Sequence, residues 1–139
     1  MSQNVRVLYT AKTHTTGGRK SGVSRSSDGV LDVRLSTPGS ARIGTNPEQL
    51  FAAAWSASLE SAIALAARQR KIVFPVGVAI EAEVDLCLAD SAYFLKARLN
   101  VGLPGVEREV AQALVEEAHQ TCTYSKAIRG NIDVVINLV

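Results

Sequence analysis

The feature that most constrains this chain is a long apolar stretch that runs from Leu50 to Ala67. Its polar residues are Ser56, Ser58, Glu60 and Ser61. Asn46 can cap a helix and Pro47 suits the first helical position, so a helix is predicted at about 46–70. The serines and the glutamate fit a helix inside a protein core better than a membrane span. A helix that is apolar on most sides must be covered by other parts of the protein.

One stripe of this helix contains the position at which we look for function. At 100° per residue, one face carries Phe51, Trp55, Ser58, Ala62 and Leu65. Ser58 is therefore expected to point into packed apolar surroundings, with Glu60 on the opposite side. A polar side chain that is held among apolar ones is a candidate for chemistry.

The other elements follow from alternating apolar and polar residues, from turn residues and from a second periodic segment. Strands are predicted at 5–12, 22–26, 30–36, 78–88, 93–103 and 132–139, with loops at 16–19 and 37–44, a connector at 71–77 and a second helix at 107–122. This order predicts an α+β fold with antiparallel sheets in a single domain, 1–139. The central helix is too apolar for one sheet to cover, so a second subunit is predicted to cover the rest.

The two longest predicted strands carry complementary charges. If 78–88 and 93–103 form a hairpin, Lys96 and Arg98 come close to Asp85 and Glu83, which is a favourable cross-strand arrangement. The polar residues would then form one wet face of the sheet and the apolar residues the other.

Charge and cysteine content exclude several classes of function. The net charge of +2 and the scattered basic residues give no reason to expect nucleic acid or a membrane as a partner. The two cysteines and the lack of a signal-like N-terminus favour reduced thiols in the cytoplasm. No His, Cys, Asp or Glu spacing suggests a metal site, and no cofactor is expected.

Each candidate residue also has an ordinary interpretation. Ser58 can be a helical serine that bonds the carbonyl four residues earlier, and it lies outside any Gly-x-Ser-x-Gly elbow. Cys122 can be a small buried apolar residue, and a helix C-terminus does not lower a thiol pKa, so it would be a poor peroxide nucleophile alone. Cys87, on the polar strand face among acidic neighbours, is expected to be inert.

Arg19 and Glu48 form a second candidate pair. Arg19 follows two glycines in a loop and Glu48 opens the long helix, where a solvated arginine and a carboxylate near the helix dipole are the ordinary interpretations. An arginine and a carboxylate can also form a rigid, oriented fork. Glu48 lies about 15 Å from Ser58 along a helix, so the long arm of Arg19 or a second subunit would have to bridge them.

Several segments together resemble one family. They are Leu8–Ala11, Gly17–Arg19, Arg25–Val33, Gly44–Ala53, Leu103–Gly105 and the stretch from Ala118 through Val134. The chain resembles the organic hydroperoxide resistance proteins of the OsmC-like superfamily, nearly from end to end. The resemblance implies antiparallel sheets around a long buried central helix in an intertwined homodimer with two interface sites. It also implies a thiol peroxidase for organic hydroperoxides that dihydrolipoyl groups recycle.

The resemblance also assigns roles to individual residues. Cys122 matches the resolving cysteine, and Arg19 and Glu48 match the pair that activates the attacking thiolate. The position of the attacking, or peroxidatic, cysteine is occupied by Ser58. Phe51 and Trp55, on the stripe of Ser58, are expected to line the substrate pocket.

The serine changes the expected chemistry. A thiolate takes up oxygen from a peroxide, whereas a serine hydroxyl is barely ionised and has no such oxidation state. The chain is therefore expected to be inactive by the family mechanism, either because Ser58 is an engineered substitution or because the protein has diverged. Thr123, where the family usually has proline, and Lys20 favour divergence.

Two other functions remain open at this stage. In the first, the dimer-interface pocket binds an apolar or fatty molecule without chemistry, because its apolar stripe is retained without the nucleophile. Alternatively, Cys87 takes the missing role and forms a disulfide with Cys122, although Cys87 has no cationic neighbour in the sequence.

Overall fold

A computed structural model describes residues 4–73 and 77–139 of the chain. The predicted connector at 71–77, with Pro75, lies partly outside these residues. The chain divides into two compact units, Met1–Pro47 and Glu48–Val139, which are described separately.

The first unit contains a small antiparallel sheet. Its elements are β1 (Thr13–Thr16), α1 (Gly18–Ser21), β2 (Val23–Ser26) and β3 (Asp32–Arg34), with strand order β1-β2-β3. The predicted hairpin is present: Asp28 accepts a hydrogen bond from the backbone N–H of Val30 at 3.0 Å, and Gly29 has a φ of 77°. A positive φ costs a glycine no strain, so Asp28-Gly29 turns the chain between β2 and β3.

The predicted strand at 5–12 is wrong. Residues 4–12 are not in a strand, and β1 begins only at Thr13. Val5, Val7 and Tyr9 are 80%, 73% and 79% exposed, so the alternating pattern has no buried face within this chain. Alternation predicts a strand only where a neighbouring strand and a core are available to pair and pack with it.

The loop predicted at 16–19 is also replaced by other structure. The segment is one turn of helix, α1, which follows Gly17 in a left-handed conformation with φ 79°. The strand predicted at 30–36 is shorter than expected, because only Asp32–Arg34 pairs with β2.

The second unit contains the long helix and a second sheet. Its elements are α2 (Pro47–Gln69), β4 (Ala79–Ala89), β5 (Ala92–Gly102), α3 (Arg108–Thr121), α4 (Thr123–Ile128) and β6 (Asp133–Leu138). The sheet order is β4-β5-β6, with β4 and β5 antiparallel. The α+β class is as predicted, except that β6 runs parallel to β5. Parallel pairing needs a crossover, and α3 with α4 supplies it.

The charge pairing predicted for the β4–β5 hairpin is confirmed. Glu83 lies opposite Arg98, and Asp85 lies opposite Lys96. Arg98 donates from Nη1 and Nη2 to both carboxylate oxygens of Asp85 at 2.7 and 2.8 Å, and from Nε to Glu83 at 2.9 Å. A shift of one residue would break this fork and turn the apolar residues to the wrong face, so the register is strongly specified.

The core of the second unit lies between α2, β5 and α3. Its largest fully buried apolar side chains are Trp55, Leu59, Ile63, Leu99, Val101 and Leu114. The predicted helix stripe is therefore displaced: Leu59 and Ile63 face the core, whereas Leu65 is 45% exposed. Ser58 lies beside the buried stripe and is half-buried, and Glu60 is exposed as expected.

Much of α2 is exposed within a single chain. Only 28% of its most apolar 18 residues are buried. By length and composition α2 could cross a membrane, but core helices of soluble proteins share these properties.

Candidate functional site

Cys122 lies at the junction between α3 and α4. Its backbone N–H donates to the carbonyl of Ala118 at 2.7 Å and ends α3, while its own carbonyl accepts from Lys126 at 2.9 Å and begins α4. The residue itself is extended, with φ −59° and ψ 126°, and is 2% exposed. This break turns the Cys122 side chain back towards the core.

The sequence analysis missed α4. It predicted no element between the helix at 107–122 and the strand at 132–139, although Gly130 adopts a φ of 80° two residues after α4 ends at Ile128. A glycine in the left-handed conformation just beyond a helix is a common stop signal. Read in this way, Gly130 would have indicated a short helix before it.

The structure brings Ser58 and Cys122 together. The thiol of Cys122 donates to Ser58 Oγ at 3.5 Å, and the hydroxyls of Ser58 and Thr123 are 3.4 Å apart. The expectation that Ser58 is surrounded by apolar groups is therefore wrong, because its side chain meets polar atoms. The bond to the carbonyl four residues earlier is made instead by Ser56, which donates to Ala52 at 2.7 Å.

Trp55 connects α2 to α4 beneath this cluster. Its indole Nε1 donates to Ser125 Oγ at 3.1 Å, and both residues are 0% exposed. Phe51 packs on Trp55 in a tilted arrangement, with ring centroids 5.6 Å apart. The sequence analysis did not predict that Thr123 and Ser125 contact α2, because local sequence gives no sign of which way their side chains face.

The pKa of the Cys122 thiol lies below its ordinary value of 9.0. Burial raises this pKa, but the polar groups of Ser58, Ser125 and Tyr124 around the sulfur favour its charged form and lower the pKa by more. The Cys122 side chain forms no capping hydrogen bond at the start of α4. The expectation that Cys122 feels only an unfavourable helix C-terminus is wrong, because it also begins α4.

Arg19 and Glu48 lie in different units. Arg19 is exposed within α1, and Glu48 is half-buried in the first turn of α2, ten residues before Ser58. Both take part in interactions of the folded chain. Their roles at the site stay predictions.

Cys87 and Cys122 are both free thiols, and the sheet separates them. Cys87 pairs with Phe94 on the face that carries Asp85, whereas Cys122 belongs to the core on the opposite face with Leu99. Side chains on opposite faces of a sheet cannot reach disulfide distance. A disulfide between these two cysteines within one chain is therefore excluded.

A shallow depression of about 120 Å³ lies between α3 and β6. Its lining residues are Gln112, Val115, Glu116, His119, Ile136 and Leu138. His119 Nδ1 is buried there without a hydrogen-bond partner, and burial, together with the charge of Arg129, lowers the pKa of His119. Within 4–73 and 77–139, no group of three or more His, Cys, Asp or Glu side chains is placed to hold a metal ion.

Comparison with known proteins agrees with the fold. The family model described as OsmC-like protein matches residues 37–137. The chain is 42% identical to the organic hydroperoxide resistance protein of Xanthomonas axonopodis pv. citri over 142 residues, covering 99% of each chain. It is 40% identical to OhrA of Bacillus subtilis, covering 94% of this chain and 96% of the relative.

A solved structure gives the same result in three dimensions. The crystal structure of OhrB of Bacillus subtilis superposes on this chain with a TM-score of 0.89 at 40% sequence identity. The superposition covers 96% of this chain and 100% of OhrB. The chain therefore belongs to the OsmC-like family, within its organic hydroperoxide resistance proteins.

Proposed function

We propose that Ser58 and Cys122 mark the organic-hydroperoxide site of this chain, with Cys122 in the resolving position. The observation that supports this most directly is the 3.5 Å between Ser58 Oγ and Cys122 Sγ. A cysteine at position 58 would need only a small adjustment to reach the S–S bond length of about 2.05 Å. A two-cysteine peroxide cycle requires its attacking and resolving side chains to come into contact.

The chain as it stands lacks the atom that carries the first step. In that step a thiolate sulfur attacks one peroxide oxygen, the O–O bond breaks, and the products are a sulfenic acid and an alcohol. The second thiol then attacks the oxidised sulfur and releases water as the disulfide forms. Ser58 cannot be oxidised in this way, so we expect no turnover by this cycle.

Divergence explains Ser58 better than a single engineered change. Two of the residues that depart from the family pattern, Ser58 and Thr123, have their hydroxyl oxygens 3.4 Å apart. A proline at 123 would offer no side-chain hydroxyl, so the two departures form one polar arrangement. Sequencing the codon for residue 58 in the source gene tests this directly, and a cysteine codon would contradict divergence.

The complete site is proposed to form in an intertwined homodimer. A second copy would cover the apolar residues of α2 that remain exposed, and it would also cover the exposed Val5, Val7 and Tyr9 of the first unit. Arg19 and Glu48 would orient the group at position 58, and Phe51 and Trp55 would form the apolar wall. A dihydrolipoyl-type dithiol would be the reductant, and the reduced thiols fit the cytoplasm.

The variant Ser58→Cys tests the proposal. With cumene hydroperoxide and dihydrolipoamide, we expect peroxide loss well above that of the unchanged chain, because the second thiol already lies opposite. Ser58→Ala is the matched control and should remain inactive. A folded, dimeric Ser58→Cys protein without activity would contradict the proposal that the site is otherwise intact.

Binding of an apolar or fatty molecule without chemistry is the second candidate. It is favoured by the partly buried Phe51 stacked on Trp55 beside a residue that cannot react. Native mass spectrometry of the purified chain should then show a bound ligand. Absence of such a ligand, together with no thermal shift from fatty acids or fatty hydroperoxides, would count against it.

A further inference from the structure

Arg19 lies in a helical turn that is not stable by itself. The segment at 17–22 joins β1 to β2 and contains α1, whose single turn is closed by the N–H of Gly22 donating to the Gly18 carbonyl at 2.9 Å. One turn of helix forms too few hydrogen bonds to offset the cost of ordering it. The residues of α1 are all exposed, so packing of their side chains does not stabilise the turn. Contacts from other parts of the first unit must therefore hold it.

Gly22 is the residue at which this turn is attached to the sheet. A Cβ at position 22 would overlap the carbonyl oxygens of Thr16 and Gly18, so the backbone approaches itself too closely there for any side chain. The Gly22 carbonyl accepts a hydrogen bond from the N–H of Leu35 at 2.8 Å, which extends the pairing of β2 with β3 by one residue. The position of Gly22 therefore sets the position of the turn.

The side chain of Arg42 makes a second attachment to Gly22. Its Nη2 donates to the Gly22 carbonyl at 3.2 Å, and its Nε donates to the Leu35 carbonyl at 2.9 Å. A carbonyl oxygen has two lone pairs, so Gly22 can accept from Leu35 and from Arg42 at once. The guanidinium is charged and Arg42 is half-buried, so both bonds are charge-assisted and partly shielded from water. One side chain thus binds the backbone of both strands beside the turn.

The backbone that carries Arg42 is fixed to the same sheet. Arg42 lies in the loop at 37–44, and the residues on either side of this loop pair with each other and with β3. The N–H of Ser36 donates to the Thr45 carbonyl at 2.9 Å, and the N–H of Thr45 donates to the Arg34 carbonyl at 2.8 Å. The guanidinium therefore reaches Gly22 from a loop whose two ends are held.

We propose that Arg42 is a positioning residue for Arg19: its guanidinium fixes Gly22 and so holds the turn that carries Arg19. This inference rests on the proposed role of Arg19 in orienting the group at position 58. It adds the loop at 37–44 to the parts of the first unit that prepare the site. Arg42 acts through the backbone of Gly22 and has no contact with the peroxide in this proposal.

The first test is amide hydrogen exchange, followed residue by residue by NMR. Arg42→Met keeps the apolar stem and removes the donors. We expect the Gly22 amide to exchange about three- to tenfold faster, which is what one partly exposed hydrogen bond from a charged group contributes to an opening equilibrium. The amides within β2 and β3 should keep their rates. Arg25→Met is the matched control, because Arg25 bonds the Asp32 side chain on the same sheet at 3.0 Å and should leave Gly22 unchanged.

Two results of this test overturn the inference. An unchanged exchange rate at Gly22 in Arg42→Met would show that the guanidinium does not hold the turn. Acceleration by the same factor throughout β2 and β3 would show that Arg42 stabilises the whole sheet and has no particular effect on the turn. Arg42→Lys keeps the charge but loses the planar fork, so it should give an intermediate rate at Gly22, and it replaces Arg42→Met if that variant does not fold.

The second test measures kcat/KM for cumene hydroperoxide in the Ser58→Cys protein. Arg42→Met should lower kcat/KM several-fold, and it should cause no further loss once Arg19→Met is present, because the two residues then act as one unit. Losses that multiply would overturn the inference. The exchange test needs no peroxide, so the two failures are distinguishable. Faster exchange at Gly22 with an inactive Ser58→Cys protein contradicts the proposed function, whereas an unchanged Gly22 with an active protein contradicts the role of Arg42.

Discussion

The hydroxyl of Ser58 and the thiol of Cys122 lie 3.5 Å apart although 64 residues separate them in the chain. The contact joins the middle of α2 to the start of α4, and the Trp55–Ser125 hydrogen bond supports the same two helices one turn away. Because the buried Trp55–Ser125 hydrogen bond holds α2 against α4, the fold itself sets the distance between Ser58 and Cys122 before any ligand binds.

The first prediction concerns a disulfide. In the double variant Ser58→Cys and Cys87→Ser, brief treatment with an organic hydroperoxide should join positions 58 and 122, because the side chains already face each other. Intact-mass spectrometry should show a loss of two hydrogens, which dithiothreitol reverses. Adding Cys122→Ser should abolish that loss; a sulfinic acid without any disulfide would show that the two side chains do not meet.

The second prediction compares two leucines of α2. Leu59 is 0% exposed and Leu65 is 45% exposed. Leu59→Ala should lower the free energy of unfolding by about 2–5 kcal/mol, because it leaves a cavity in the core. Urea unfolding of Leu59→Ala and of the matched variant Leu65→Ala checks this. Equal losses for the two leucines at a concentration where the protein is monomeric would contradict the assignment of the core stripe.

The third prediction concerns the second subunit. If a partner copy covers the exposed side of α2, a charge at Leu65 becomes buried in the interface and has no partner there. Leu65→Glu should therefore yield monomers where the unchanged chain yields dimers, as measured by light scattering after gel filtration. Gln112→Glu, on the exposed side of α3, is the control and should leave the mass unchanged. An unchanged chain that is itself monomeric would refute the homodimer.

The fourth prediction is a pH dependence of stability from His119. Burial, followed by the charge of Arg129, lowers the pKa of His119 below its ordinary 6.5. The unfolded chain then binds the proton at a higher pH than the folded chain, so this contribution is full above about pH 6.5 and is lost as the pH falls through the folded pKa. His119→Gln should flatten that part of the stability curve, whereas His14→Gln, in exposed β1, should not. If the stability of His119→Gln and that of the unchanged chain depend on pH in the same way, His119 is excluded as the source of this pH dependence.

Local sequence was enough for the elements with strong patterns of their own. The helix predicted at 46–70 is α2 at Pro47–Gln69, and the charge pairs of the β4–β5 hairpin follow from strict alternation and a short turn. Family membership also followed from the sequence, since the matching motifs run along nearly the whole chain. The stripe of α2 was displaced because a helix this apolar gives little indication of which side faces the core.

The segment at 5–12 shows where a periodic pattern is not sufficient. Its alternation is as regular as that of β4, but its apolar side chains are exposed within this chain and it forms no strand there. A strand depends on what lies beside it, and sequence periodicity cannot show whether that neighbour is in the same chain.

The sequence by itself determined the long apolar helix, the hairpin and the serine at the position of the attacking cysteine, because propensity, periodicity and residue identity are local properties. Only the tertiary structure decided that Ser58 meets Cys122 and Thr123, that Trp55 holds Ser125, and that the thiol is more acidic than a helix end alone would allow. These relationships depend on the direction of side chains from helices far apart in the chain, and the packing of the core sets that direction.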